Sequence, residues 1–355
     1  MKPLKVGIIG QGRSGHDIHA KTLKGLPELF QVAAVSDPEE SFRKRAEEEF
    51  DCDAFADYKQ LLARKDLDLI VNASPSHLHV PLTLECLEHG FHVLCEKPLA
   101  RSVEEVNALI SASQKAGKLL TVFQQSRYSP AFQQIMHVIR SGVLGRIVQA
   151  RISFNGFARR WDWQTLQENN GGSLMNTGPH VIDQALQLFG TETMPDITCI
   201  MDRVNTFGDA EDYVKLIMKK QGHPLLDVEI SSCNAYPQAI YHIDAQYGGI
   251  SGNISKLNWR YYLPEEAPKQ TLIRTPLKNE DGSPAYGSEI LPWVEEQWEI
   301  PAEQRNSFTY ACNTLYRKLH AAIVKGEPLD ITLQQIKQQI SVIEECHRQN
   351  PLSRL

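Results

Sequence analysis

A lysine that directly follows a short apolar run, with a carboxylate before it and a proline after it, is a candidate for stabilising an oxyanion. This chain has that arrangement at Leu94-Cys95-Glu96-Lys97-Pro98-Leu99. The cation suits a developing alkoxide, and Glu96 is placed to pair with it or to position a cofactor. Near the start stands a second constellation, Gly10-x-Gly12-x-x-Gly15, with Arg13 and Ser14 between the last two glycines. It follows the apolar run Val6-Gly7-Ile8-Ile9 and precedes a helical pattern, the context a dinucleotide-binding turn requires. There the first glycine makes the turn, the second admits a pyrophosphate, and the third lets helix and strand pack closely. The next strand pattern ends at Asp37, 22 positions past Gly15. A carboxylate there accepts from both ribose hydroxyls and repels a 2′-phosphate, which favours NAD over NADP; Arg43 and Lys44 in the following helix pull the other way. Together these features point to nicotinamide chemistry at the carboxyl edge of a parallel sheet.

The elements that must position these residues follow from hydrophobic period. Strands are expected at 5–9, 31–36, 67–72, 92–95 and 119–123, with helices at 15–25, 39–49, 58–63, 79–89 and 103–116. Gly90 and Gly117 read as helix stops, and Ser102 with Glu105 as a capping box. Alternating β and α units imply a doubly wound parallel sheet, a Rossmann domain, over residues 1–124. The loop Ala73-Ser74-Pro75-Ser76-His77 lies over the crevice of such a sheet. Its backbone and the Ser74 hydroxyl are expected at the cofactor, with His77 as a wall residue near the ribose.

From residue 125 the pattern changes. A helix at 130–140 leads into a long strand at 146–155. A Trp- and Arg-rich section at 159–178 precedes a helix at 179–189, with Pro179 at its first position and Gly190 past its end. Strands then follow one another at 197–204, 213–219, 225–233, 240–246 and 251–259. This implies an α+β domain with a large, mostly antiparallel open sheet over residues 125–355. Residues 264–292, rich in Pro, Gly and charge, read as a surface arm or lid, and helices at 302–325 and 332–349 close the chain.

Composition narrows the function class. The 355 residues carry a net charge of −6, with 42% hydrophobic and 23% charged residues, ordinary values that give no support for nucleic-acid or acidic-membrane binding. The N-terminus runs straight into an apolar strand, so no signal peptide is expected, and no apolar run reaches bilayer-spanning length. Seven scattered cysteines without a C-x-x-C pair read as reduced thiols of a cytoplasmic protein. The histidines show no metal-ligand spacing; His77 and His79, two apart on a loop, are not read as ligands.

The glycine triplet, Asp37, the runs 73–79 and 92–100, Arg127-Tyr128-Ser129-Pro130, 141–145 and 171–183 resemble the glucose–fructose oxidoreductase and inositol dehydrogenase (Gfo/Idh/MocA) family. The resemblance covers nearly the whole chain. It implies hydride transfer between NAD or NADP and a secondary alcohol or ketone of a sugar, polyol, inositol or glycoside. It also implies an exposed sheet face that joins copies into a homodimer or homotetramer. Apolar residues read on both faces of the strands within 197–259 point the same way.

Such chemistry needs a base for the hydroxyl proton and a cation for the alkoxide. Lys97 suits the second need. His180 suits the first: it sits in the first turn of a helix, where the terminus disfavours imidazolium. The resemblance places Asp four residues before this histidine, and here Asn176 stands instead. An amide can orient a ring or a substrate hydroxyl but supplies no negative charge. The expected cofactor contacts also include Pro75, His79, Glu96 and Gln125. Arg160, Trp161 and Trp163 are substrate-side candidates, because aromatic faces stack on sugar rings and Arg forks onto hydroxyls. Arg127 is expected either at nicotinamide or substrate, or as a tie between the domains. Two alternatives stand beside the dehydrogenase: an enzyme that retains NAD and processes glycosides by transient oxidation, and a nucleotide-sensing regulator on the same scaffold.

Overall fold

The computed structural model describes residues 2–353. Its first sheet consists of β1 (Leu4–Ile9), β2 (Phe30–Ser36), β3 (Asp53–Phe55), β4 (Leu69–Asn72), β5 (His92–Cys95) and β6 (Leu120–Val122). All pairs are parallel, in the order β3-β2-β1-β4-β5-β6. This is the doubly wound arrangement, with its switch point between β1 and β4, where ligands bind beyond the carboxyl ends of the strands. β4 is buried at every position and β1 at its last four, because helices cover both faces. The helix Val103–Ala116 begins with the Ser102/Glu105 capping box and stops at Gly117 in the left-handed region. Two details depart from expectation. The three-residue edge strand β3 was too short for a period to show. The helix after the glycine turn opens as wide, π-type turns over Arg13–Ala20 and closes as a short α-helix, Lys21–Lys24.

The second sheet has eight strands: β7 (Ile147–Asn155), β8 (Asp196–Asp202), β9 (Tyr213–Lys219), β10 (Leu225–Ser231), β11 (Tyr241–Ala245), β12 (Gly248–Gly252), β13 (Lys256–Tyr261) and β16 (Val294–Glu299). The order is β16-β13-β12-β11-β7-β10-β9-β8, antiparallel throughout except β7 with β10. The strand expected at 251–259 is in fact the hairpin of β12 and β13. β16 was not anticipated; its polar run Glu295-Glu296-Gln297 carries little apolar signal. Between β13 and β16 the chain makes its long excursion, which holds only the two-residue strands β14 (Leu277–Lys278) and β15 (Pro284–Ala285).

The expectation of apolar residues on both faces holds only in part: on β8 Cys199 and Met201 are buried and Ile200 is 59% exposed on the other face. Val214, Leu216 and Met218 of β9 and Leu226, Val228 and Ile230 of β10 all turn inward and are buried. The opposite face carries a charge ladder: Lys215 lies 3.2 Å from Glu229, and Arg151 3.4 Å from Asp227. Period 2 separates the two faces, and the apolar share of β9 and β10 falls mostly on the inner one. Helix Gly178–Phe189 packs on β7 and β10. The last helix, Leu333–Gln349, touches β8 on one side and helix Val103–Ala116 on the other, and helix Ser307–Lys325 packs on the turn Gln125–Tyr128, so the C-terminal helices bind the two sheets together. No helix among the described residues is long and apolar enough to cross a membrane.

Candidate active site

The glycine turn is built for close approach. Gly10 has φ +91°, and a Cβ there would lie 2.5 Å from the Ala73 carbonyl oxygen. A Cβ on Gly15 would lie 1.8 Å from the oxygen of Gly10, so the third glycine is required by contact between turn and helix. Around Gly12 a Cβ would meet nothing within 4 Å, which leaves free space where the second glycine faces the cavity. At the far end Asp37 is nearly buried. Its Oδ2 accepts from Gln11 N at 2.7 Å and its Oδ1 from Glu39 N at 2.9 Å. The carboxylate is thereby fixed in orientation with lone pairs to spare.

A cavity of about 880 Å³ runs from Asp37 to Lys97. Gly10, Gly12, Arg13, Ser14, Ser74, Pro75, His79 and Glu96 line it, and Trp163 and Gln164 close it from the second half of the chain. Its size falls within the range of small-molecule and cofactor sites. The open glycine turn, the oriented Asp37 carboxylate and the apolar wall of Phe42 and Leu82 fit a dinucleotide. A larger hollow, about 1040 Å³, lies on the open face of the second sheet and contains none of these residues.

The chemistry-bearing groups converge at the Lys97 end. Glu96 is buried; its Oε2 accepts from Lys97 N at 3.0 Å and its Oε1 lies 3.2 Å from His19 Nε2. Burial alone would raise its pKa, but the hydrogen bond with His19 and the nearby positive charge outweigh this and hold it at about 2. The Lys97 ammonium donates to Asn176 twice, to the backbone oxygen at 2.7 Å and to Oδ1 at 3.1 Å. Burial lowers the Lys97 pKa, Glu96 opposes that, and the Arg13 and Arg160 charges add to it. His180 has Nδ1 3.1 Å from Ser126 Oγ. Its pKa is depressed to about 3, first by burial and then by Lys97. The ring is neutral, as the sequence suggested, but enclosure is the main cause. Asn176 ends a one-turn helix, Ser173–Asn176, that precedes helix Gly178–Phe189, so a short break in the helix presents both Asn176 and His180.

The other expected residues divide. His79 is buried, with Nδ1 2.7 Å from the Pro98 oxygen and Nε2 3.0 Å from the Ser74 oxygen, so it ties the two cofactor-side loops together. The Ser74 hydroxyl donates to Asn72 Oδ1 at 2.7 Å, which leaves the backbone of that loop to face the cavity. His77 is exposed and off the wall, a correction; the short 3-10 turn Ser76–Leu78 sends Leu78 there instead. Gln125 is buried away from the cavity. Arg127 is also corrected as a substrate ligand. It is buried, its guanidinium pairs with Asp183, and Nη1 donates to the Asp330 oxygen and to Gln335 Oε1 at 2.6 Å, the tie between distant segments. Arg160 is forked onto Asp162 and bonded to Gln164, and Trp161 is 78% exposed with its ring against Phe207; neither lines the cavity. The sequence did not reveal Ser126, Gln164 or His19 as members of the site. Ser126 and Gln164 each sit beside a flagged residue, but nothing in their own type marks them.

A parallel sheet in the dinucleotide-binding order, with a lysine on the wall of its cleft that bonds to the segment carrying a neutral histidine, defines the class: a nucleotide-dependent oxidoreductase. The comparisons agree. The family described as "Oxidoreductase family, NAD-binding Rossmann fold" matches residues 4–124, and the "GFO/IDH/MocA C-terminal domain" matches 132–251. The chain belongs to the GFO/IDH/MocA oxidoreductase family. It is 27% identical over 357 residues to the scyllo-inositol 2-dehydrogenase (NADP(+)) IolW of Bacillus subtilis, covering 96% of this chain and 92% of that one. It is 26% identical over 337 residues to a 2,7-anhydro-N-acetylneuraminate hydratase of Mediterraneibacter gnavus, covering 90% and 87%. Its fold matches the WlbA dehydrogenase of Bordetella pertussis, solved in complex with NADH and UDP-GlcNAcA, with TM-score 0.77, 18% identity and 98% and 97% coverage.

Proposed function

We propose that this oxidoreductase is an NAD-dependent dehydrogenase acting on a secondary alcohol or ketone of a sugar, polyol, inositol or glycoside. The observation that carries the reading is the Lys97 ammonium on the wall of the glycine-lined cavity, bonded to Asn176 and near enough to the neutral His180 for its charge to act on that ring. Bound nicotinamide supplies the hydride acceptor or donor. Gly12, Arg13 and Ser14 hold the pyrophosphate side, Asp37 the ribose, and the backbone at Ser74 and Pro75 the opposite wall. The Lys97 ammonium, already aimed at Asn176, stabilises the oxyanion that forms on the substrate oxygen. His180 Nδ1 is taken by Ser126, so Nε2 is the atom that accepts the hydroxyl proton. The Asn176 amide can both donate to and accept from a substrate hydroxyl. Asp37 is the reason for NAD over NADP, and Arg43 does not weaken it: its Nη1 is bound to the Asp37 and Pro38 carbonyl oxygens, 2.8 Å from each.

The test is NADH formation, followed at 340 nm, over a panel of sugars, polyols and glycosides. Reduction of NADP in preference to NAD would overturn the cofactor assignment, and absence of turnover across the panel would overturn the dehydrogenase. The hydratase among the relatives favours a second reading, in which a retained nicotinamide is oxidised and reduced within one turnover. Cofactor that survives purification, with product but no net NADH, would select it. We place the contact between copies on the open face of the second sheet, which no helix covers and whose hollow is walled by Tyr247, Tyr262 and Trp293. A monomer mass by light scattering at micromolar concentration would remove the homodimer or homotetramer. A cytoplasmic location belongs to the same reading, supported by seven free thiols.

A further inference from the structure

Behind the cavity lies a chain of buried polar groups that the proposed reaction does not consume. Tyr316, on helix Ser307–Lys325, has its hydroxyl 2.7 Å from His19 Nδ1. His19 Nε2 reaches Glu96 Oε1, and Glu96 Oε2 accepts from the Lys97 backbone. His19 and Tyr316 are completely enclosed, and Phe123 packs on the His19 ring at 4.4 Å.

Donor and acceptor roles follow by elimination. Glu96 accepts from the Lys97 backbone and lies beside the Lys97 charge; as a carboxylate it can only accept, so His19 Nε2 carries a hydrogen. Burial drives the Tyr316 pKa well above its ordinary value, so the hydroxyl keeps its proton. With His19 neutral, that proton goes to the Nδ1 lone pair, and every group in the chain has a partner. With His19 as imidazolium, Nδ1–H would donate to the phenol oxygen and leave the phenol proton buried without one. Such an orphaned donor is costly.

We propose that Tyr316 and His19 are positioning residues: they hold His19 in its Nε2–H form, lock the plane of the Glu96 carboxylate, and so fix the backbone from which Lys97 reaches Asn176. The kinetic part rests on the dehydrogenase reading above; the tautomer does not. The groups around His19 are Glu96, Tyr316 and, next to both, Cys312, with Lys97 and His79 beyond Glu96. The Cys312 thiol is pushed to about 12 and stays neutral, and burial lowers the His79 pKa. Glu96 is therefore the one anion in the cluster and helps to keep Lys97 protonated. Tyr316→Phe removes only the hydroxyl. It leaves Nδ1 without its partner, so nothing selects one tautomer of His19 or fixes the plane of the Glu96 carboxylate through it.

The experiment uses the full chain, selectively labelled with 15N-histidine, together with steady-state kinetics. The His19 spectrum should show the Nε2–H tautomer in the unmodified protein and a mixture of tautomers in Tyr316→Phe. The kcat of Tyr316→Phe should fall about tenfold, the order expected for slight misplacement of a reacting group, with KM and NAD affinity within about twofold. His19→Gln, whose amide can donate to Glu96 and accept from Tyr316, should recover much of the kcat that His19→Ala loses. An Nδ1–H tautomer in the unmodified protein would overturn the relay. So would a Tyr316→Phe variant with parental kcat and an unchanged His19 spectrum. If no substrate in the panel turns over, the dehydrogenase reading fails, and the histidine spectra of parent and variant still decide the relay.

Discussion

The two sides of the cavity are built on opposite plans. The first-sheet side is charged and rigid: Glu96 and Lys97 leave the end of β5, a strand between two paired neighbours, and Asp37 leaves the end of β2. The groups that meet Lys97 from the second half of the chain are neutral and come from short elements: Asn176 from a one-turn helix, His180 from the next helix start, and Ser126, the partner of His180, from a 3-10 turn. The difference shows where each kind of group can be kept. A desolvated cation needs a counter-ion held in fixed register, and a sheet edge provides it. Neutral acceptors carry no such demand and can ride on elements defined by a few contacts.

That contrast is exposed first by removing the charge. Lys97→Ala should lower kcat by about 10³-fold, the scale of losing a principal oxyanion partner, with NAD affinity nearly unchanged. Single-turnover kinetics with independent NAD titration measure both, and a variant retaining most of its activity would show that the charged side is not the reacting side. Moving charge across the cavity comes next. Asn176→Asp should hold the ammonium in an ion pair, raise the His180 pKa, and cut kcat by at least about tenfold. A gain in activity would mean that the neutral side lacks a carboxylate it needs. Asn176→Ala keeps the backbone acceptor and should be milder, with a raised KM; unchanged kinetics in both variants would reduce Asn176 to a structural cap. Asp37→Ala probes the far end of the charged side. Loss of a charge-assisted hydrogen bond should weaken NAD about tenfold and narrow the preference over NADP, as read by calorimetric titration of both cofactors.

The last effect is on stability rather than rate and concerns a charge that the fold holds in reserve next to the Asn176 helix. Glu211 is 2% exposed and accepts from Leu174 N at 2.8 Å, at the entrance to the Asn176 helix. Burial raises its pKa to about 7, with the Asp212 charge adding and the Leu174 bond opposing. An unfolded glutamate ionises near 4.5, so the folded chain holds the extra proton between about pH 4.5 and 7. Stability is therefore lost as pH rises through that window, on the order of 3 kcal/mol in all. Urea melts at pH 5 and pH 8 should show this fall in the parent and its loss in Glu211→Gln. An equal fall in both would exclude Glu211 as its source.

What could be read from the chain without its fold follows the same division. On the charged side the glycine turn, Asp37 and Glu96-Lys97 were legible, because a tight turn, a strand end and a short apolar run are local events of a few residues. The alternation of strand and helix that carries them is equally local, so the parallel sheet was legible too. His180 and Asn176 stood out only with help from a family resemblance, since a helix start admits many residue types.

Tertiary structure alone decided the rest. Arg127 was ambiguous as a residue type; Asp183, 56 positions on, and Gln335, 208 on, made it a tie. His77 and His79 looked alike on one loop, and the carbonyl oxygens of Ser74 and Pro98 buried one while the other stayed in solvent. Most of the apolar residues of β9 and β10 turned inward by the period of each strand, but only the assembled sheet shows that Lys215 meets Asp227 and Glu229 across strands on the open face. His19 met Tyr316 across 297 positions. Backbone propensity and turn chemistry act over a few residues and are written in the sequence. The partners of a buried charge or imidazole are set by which segments the packed core brings together, and that is fixed only when the whole chain has folded.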